Sequence, residues 1–443
     1  MKNRIAQLIS SIEEPVSAAP FVSFRIAFGL LMALSTIRFV YLGWIEDHYL
    51  EPVFHFHYYG FSWIPMASAP VLYGVHMLML LAAISVMLGR FYRISAIVLF
   101  LCFTYTELLD LTYYLNHYYF VSLVCLWLIF IPEPDKNFQI PRWCIFIFKF
   151  QLSLVYLIAG LAKINYDWLI EALPLKIWLP AHDDLPFIGQ LMSMPETAYV
   201  FSWFGMLYDC SIAFLLLYRP TRIFAYLTVI IFHLLTGILF QIGVFPAVMI
   251  ASTLIFFSPE WHSNLQRKLS KLSLFQNFFM FSPSGDAAKR PLLSGKMLKF
   301  VLLCYILFQL AFPWRYVLYP GNLFWTEEGY RFSWRVMLME KAGTATFYVK
   351  DSKTNREGIV DNREFLNAHQ EKQMAMQPDM ILQFAHFLAK HYQSEGLTEP
   401  QVRAEVYVTL NARPSQLLLD PNVDLTKLED TWKHKTWIRS NQP

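Results

Sequence analysis

The sequence has 443 residues, 56% of them hydrophobic and 16% charged, against roughly 25% charged in soluble domains. Mean hydropathy is +0.37. Apolar runs of about 20 residues, the length that crosses a hydrocarbon core, exclude a wholly soluble fold, and a net charge of +3 is too small to point to nucleic acid.

Residues 1–20 carry Glu13, Glu14, Pro15 and Pro20, and the apolar run behind them is too long for a signal-peptide core. The first span is therefore expected to act as its own membrane signal. Nine spans are predicted, near 21–43, 70–88, 94–113, 118–131, 143–162, 198–217, 223–239, 243–257 and 297–317. The predicted fold is a polytopic α-helical membrane domain over 1–317 with a small extramembrane α+β domain over 318–443. In that tail Thr344–Lys350 alternates as a strand, with a short return strand at Glu357–Val360. Met380, Ile381, Phe384, Phe387, Leu388 and His391 follow helical spacing, and Ala404, Val406, Val408 and Leu410 form one face of a strand. Cys102, Cys125, Cys144, Cys210 and Cys304 all fall in apolar runs, without C-x-x-C spacing, and read as small core hydrophobes.

Lys and Arg predict orientation. One set of loops contains Lys2, Arg4, Arg90, Arg93, Lys136, Arg142, Arg219, Arg222 and the basic stretch from Arg267 to Lys299. The opposite set contains only Lys163 and Lys176. The N-terminus is thus expected in the cytoplasm and the tail on the far side. With no N-x-S/T acceptor in the chain, a bacterial cytoplasmic membrane is the expected location.

Several polar residues are predicted to converge on the outer face. Asp110 and His117 lie in the turn between the third and fourth spans, Lys163 just past the fifth, His233 toward the outer end of the seventh, and Gln241 in the next turn. Each also has an ordinary explanation. A lysine past a span usually snorkels as an interfacial anchor, but Lys163 stands on the lysine-poor side. His117 sits among tyrosines of an aromatic belt, and His233 can simply bond a neighbouring helix. Arg25, Arg38, Lys149 and Asp209 read as interhelical pairing groups. His55 and His57, with His48 nearby, lack the cysteine or carboxylates that would complete a metal site, and no metal is expected. G-x-G-x-x-G, P-loop and G-x-S-x-G patterns do not occur.

The segment Tyr156-Leu-Ile-Ala-Gly-Leu-Ala-Lys-Ile-Asn-Tyr-Asp-Trp168 resembles the reactive-lysine segment of the vitamin K-dependent gamma-glutamyl carboxylases, within the wider horizontally transferred transmembrane domain group. Leu109-Asp-Leu-Thr-Tyr-Tyr-Leu-Asn-His117 resembles the segment with that family's functional Asn-His pair. Phe232–Phe245, Phe332-Ser-Trp-Arg-Val-Met-Leu-Met339 and Asp420-Pro-Asn-Val-Asp424 extend the likeness, which runs from about Phe24 to Ile438.

The resemblance implies a reaction and its parts. Lys163 takes the place of the base that deprotonates vitamin K hydroquinone, the co-substrate. Oxygen converts the quinol anion into a strong base, a glutamyl γ-proton is removed, carbon dioxide is captured, and the epoxide leaves. Asn116 and His117 orient and relay protons. Asp110, Tyr114, His233, Trp334, Met337 and Met339 are the expected substrate-binding residues. The partners are the lipid bilayer and a glutamate-containing peptide. The chemistry suits an apolar boundary, because an amine is a base only when neutral and desolvation favours that form. Asp167, at i+4 from Lys163, is expected to complicate this if the stretch stays helical. The pattern also departs from animal members. Leu111 stands where they have Lys, Tyr114 where they have Trp, and Arg335 where they have Asp, and they continue past the end of this sequence. Two other readings stand beside the carboxylase: a quinol epoxidase without carboxylation, and a quinone- or lipid-binding protein without chemistry.

Overall fold

The computed structural model describes residues 11–240, 242–271 and 292–441. Lys2, Arg4, Gln241 and the middle of the predicted basic stretch lie outside the described residues. The membrane helices are α1 (Ala19–Tyr41), α2 (Ala69–Leu88), α3 (Tyr92–Leu109), α4 (Asn116–Phe130), α5 (Trp143–Ala162), α6 (Pro195–Leu217), α7 (Arg222–Leu239), α8 (Phe245–Thr253) and α9 (Gly295–Ala311). Proline in the first turn starts α1, α2 and α6, where its missing N–H costs no helical bond. Gly89, at φ +68°, ends α2 in the left-handed conformation that glycine adopts without strain.

Among the described residues, seven helices are long and apolar enough to cross a membrane: α1, α2, α3, α5, α6, α7 and α9 with its extension to Leu318. The spans predicted at 118–131 and 243–257 are shorter apolar helices, Asn116–Phe130 and Phe245–Phe256. At 1.5 Å per residue the 15 residues of α4 reach about 22 Å, less than a hydrocarbon core of about 30 Å. Burial separates the other spans by role. In α5, 61% of the apolar window is buried, against 22% in α7 and α9. The first is the hub of the bundle and the latter two present most of their surface to lipid.

Of the four expected interhelical pairing groups, Arg25 bonds to α2 and Asp209 to the Lys163 side chain, whereas Arg38 and Lys149 lie beside aromatic rings. The Arg25 guanidinium donates to Val86 O at 2.7 Å, Arg38 lies 4.7 Å from the Trp44 ring centre, and Lys149 lies 5.8 Å from that of Phe256. All five cysteines are free, and Cys125 and Cys144 are buried. On the N-terminal side, β1 (Pro15–Ser17) pairs antiparallel with β2 (Gln139–Pro141) and ties the start of the chain to the start of α5.

The tail carries a four-stranded sheet in the order β4-β3-β5-β6. Strands β3 (Lys341–Lys350) and β5 (Gln401–Leu410) are antiparallel neighbours, with Lys341 opposite Leu410 and Lys350 opposite Gln401. The short strands β4 (Glu357–Ile359) and β6 (Gln416–Leu417) edge it. The predicted alternation is realised: Val402, Ala404, Val406 and Val408 are fully buried and pack with α10 (Pro378–Ser394). This core continues into the membrane domain, because Phe56, Tyr58 and Leu111 belong to the same cluster. The tail is therefore seated on the outer loops, not tethered beside them. We expect a single cysteine introduced at Lys353, on a cysteine-free background in intact cells, to react with an impermeant maleimide from outside, and one at Lys268 to react only after permeabilisation. The reverse pattern would overturn the orientation read from the charges.

Candidate active site

Lys163 follows the last helical residue of α5 and caps it. The chain then leaves the helix. The Asn165 side chain donates to Ala162 O at 2.9 Å and accepts from Trp168 N at 3.0 Å, starting a short helix, Tyr166–Leu169, in a new direction. The Lys163 side chain turns back along the bundle. Its Nζ lies 2.7 Å from Asp209 Oδ2 on α6, 3.4 Å from Ala159 O, and 5.3 Å from the Trp168 ring centre. Both side chains of the pair are 8% exposed.

Glycine makes this meeting possible. A Cβ on Gly160 would lie 2.6 Å from Cys210 N and 2.9 Å from Asp209 C, so only glycine lets α5 and α6 approach so closely here. Gly205, one turn before Asp209, leaves the space beside the lysine: a Cβ there would meet Lys163 Cε at 4.0 Å.

The expected complication from Asp167 does not arise, because helix α5 stops before the i+4 geometry can form. Asp167 instead takes two bonds from the Arg413 guanidinium, at 2.7 and 2.8 Å, and one from Asn411 Nδ2 at 2.6 Å. Burial pushes its carboxyl up, but the bonds from Arg413 and Asn411 outweigh burial and hold it below the usual carboxylate range. The carboxylate that neutralises Lys163 is Asp209, 46 residues away in sequence.

The pair faces a cavity of about 90 Å³. Its walls are mostly apolar and include the rings of Tyr156, Trp168, Trp178, Phe201, Phe232 and Phe245, with Val336 and Met337 supplied by the connector that leads into the tail. His233, 1% exposed, lines it with Nε2 3.0 Å from the Tyr156 hydroxyl, while Nδ1 is buried without a partner. His117 lies behind the wall. Its ring centre is 5.5 Å from that of Phe245, which is also 5.5 Å from His233, and its Nε2 too is buried without a partner.

Asn116 acts on the connector. Its Nδ2 donates to Arg335 O at 2.7 Å, and its Oδ1 accepts from the Tyr114 hydroxyl, whose oxygen in turn accepts from Phe332 N at 2.7 Å. The clamp holds a strained stretch: Phe332, Trp334 and Met337 have φ of +58°, +57° and +54°, the left-handed region that costs non-glycine residues energy. Trp334 is fully buried and stacks on Tyr119 at 4.8 Å.

Of the six expected binding residues only His233 and Met337 line this cavity; Tyr114 and Trp334 hold the connector, and the other two lie elsewhere. Met339 lines a separate recess with Tyr114, Lys341 and Gln373. Asp110 ties loops together, accepting from Thr112 N at 2.8 Å and Gln370 Nε2 at 2.6 Å and meeting His55 Nδ1 at 3.1 Å. His55 and His57 take different partners, since His57 bonds through its backbone to Gln383. Among the described residues no three His, Cys, Asp or Glu side chains gather as metal ligands.

Residues 13–261 match the HTTM domain family, and residues 294–442 match the vitamin K-dependent gamma-carboxylase, lumenal domain. The chain belongs to the vitamin K-dependent gamma-carboxylase family. No solved structure matches it. In this family member the two matched regions build the site jointly: the first carries Lys163, Asp209 and His233, and the second contributes Val336 and Met337. Motif reading did not name the Lys163–Asp209 pair. Its signal was available, in an intramembrane carboxylate and a lysine on the wrong side for a charge anchor. We expect Lys163→Met or Asp209→Leu alone to destabilise the protein by about 3 kcal/mol or more, because each leaves a buried charge unpaired. The double variant should regain most of that loss. Thermal unfolding of all four proteins in one detergent checks the coupling, and additive losses would break up the pair.

Proposed function

We propose that this protein carboxylates glutamyl residues in a reaction driven by the oxidation of vitamin K hydroquinone. The observation that carries the reading is a buried amine–carboxylate pair opening into a largely apolar cavity, in a chain of the vitamin K-dependent gamma-carboxylase family. The residues present fit a quinol head. Trp168, Phe232 and Phe245 offer flat apolar surface, and the unpartnered His233 Nδ1 on the cavity wall offers a hydrogen bond to a hydroxyl.

When bound, vitamin K hydroquinone is oxidised by oxygen to its epoxide and supplies the base that takes the glutamyl γ-proton before carbon dioxide joins the γ-carbon. The chain's own groups prepare this. At 2.7 Å a proton passes between Lys163 Nζ and Asp209 Oδ2 with almost no movement of heavy atoms, so the pair presents a neutral amine while its net charge stays constant. That amine accepts the quinol proton. His233, held by Tyr156, fixes the second face of the ring. Asn116 positions the connector, and His117 relays protons behind Phe245. The aromatic walls keep water from the reactive species.

In purified protein given reduced vitamin K, a Glu-containing peptide and labelled bicarbonate, we expect both epoxide and carboxylated peptide, with the peptide raising the epoxide rate. Lys163→Ala should lose both products by at least a hundredfold. A small amine in solution should restore part of the activity, whereas Lys163→Arg should not, because a guanidinium stays protonated. Full activity in Lys163→Ala would remove the mechanism. Epoxide without label in the peptide would make the protein a quinol epoxidase, and quinone binding without epoxide would make it a non-catalytic binder.

A further inference from the structure

Arg335 precedes the two connector residues that line the Lys163 cavity, and its side chain serves a different one. It lines a cavity of about 180 Å³ walled by Ile158, Leu161 and Ala162 at the outer end of α5, and by Trp314 and Tyr316 beyond α9. The residue is 7% exposed. Its guanidinium lies 4.2 Å from the Tyr316 ring centre, and its Nε is buried without a hydrogen-bond partner. The polar groups beside it are the neutral hydroxyls of Tyr316 and Tyr330, and among the described residues no carboxylate forms an ion pair with it. The platform is built in: Gly329, at φ +84°, lets Tyr316 pack so closely that a Cβ would lie 2.8 Å from Tyr316 Cα.

A guanidinium keeps its charge, and a buried charge without a counter-ion is costly. The cavity therefore calls for an anion. Its rim says which kind. Ile164 and Trp314 line it and are exposed to 55% and 43%, at the ends of apolar helices where aromatic and aliphatic side chains meet lipid. The polar side chains at the rim are already engaged with backbone: Asn165 with Ala162 and Trp168, Asn322 with the Phe324 N–H. A peptide would find few partners there, whereas a lipid needs only the charge and the apolar walls. We propose that this cavity is a phospholipid site, with the headgroup phosphate on the Arg335 guanidinium and the chains lying against Ile158, Leu161 and Trp314. Guanidinium binds phosphate through paired N–H donors, and basic pockets at helix ends suit anionic headgroups.

The site goes beyond the reaction proposed above and does not depend on it. It bears on the connector, because the carbonyl of Arg335 holds Asn116 and the next two residues wall the Lys163 cavity. A bound headgroup fixes that stretch from the lipid side.

Native mass spectrometry of the detergent-purified full chain, titrated with phosphatidylglycerol, tests the site. We expect Arg335→Gln to bind the first lipid at least tenfold more weakly than the wild type, with Arg335→Lys between them. A wild-type measurement covers the case in which the variants do not fold. Phosphatidylglycerol should slow phenylglyoxal modification of Arg335, read by peptide mass spectrometry, and a water-soluble Glu-containing peptide should not. Equal lipid binding by folded wild type and Arg335→Gln, or no protection by lipid, overturns the proposal. Protection by the peptide alone also overturns it, and assigns the cavity to a substrate carboxylate.

Discussion

A buried amine meets a buried carboxylate at the place where Gly160 brings α5 and α6 into backbone contact, and the architecture of the site depends on that meeting. An isolated ion at this depth would be too costly to keep. Together, Lys163 and Asp209 form a unit of no net charge that the apolar bundle tolerates. The helix–helix distance is therefore a chemical parameter as well as a packing one. Any side chain at position 160 would push the backbone of Cys210 away and lengthen the 2.7 Å contact. The most deeply buried span, α5, is thus the one that ends at Lys163.

The second constraint is the seating of the tail. Arg413 and Asn411 reach from the end of β5 to Asp167, four residues beyond Lys163, and Asn411 is paired backbone to backbone with Glu340 at the foot of β3. Glu340 accepts from Trp178 Nε1 at 2.5 Å, and Trp178 is a wall of the cavity. The outer loop that follows the lysine is consequently held between the membrane domain and the sheet. The carboxylate that might have competed for the lysine is consumed in this docking, which leaves Asp209 as its partner.

Much of this was legible in the residues. Spans, tail strands and the helix over Pro378–Ser394 follow from apolar runs and from periods of 3.6 and 2, which are local properties. Lys163 stood out because it broke the charge rule, and it lies in the cavity. What the sequence did not disclose were contacts between distant segments. Asp209 was read as a pairing group but not matched to the lysine, since no local pattern encodes a contact across two helices. Asp167 was weighed by its i+4 spacing, and the helix end at Ala162 made that spacing irrelevant. Asp110 and Met339 were carried along with neighbouring motif residues, yet one ties loops together and the other lines a recess of its own. Two of the nine predicted spans, α4 and α8, are shorter apolar helices than the other seven.

That shortness has a consequence for how the bilayer itself is met. Both short helices begin beside the site, with His117 in the first turn of α4 and Phe245 at the first residue of α8. At 15 residues α4 is about 8 Å shorter than the hydrocarbon core. The gap above α4 is filled by the connector, through the Asn116 bond to Arg335 O and the stacking of Trp334 on Tyr119. Irregular backbone survives at such depth only where protein encloses it or where it borders a cavity, and residues 332–337 meet both conditions. The tail thereby sends an unwound segment in among the ends of the helices. Side chains from the bundle and from the tail can therefore wall one cavity together, although the chain joins them only through that segment.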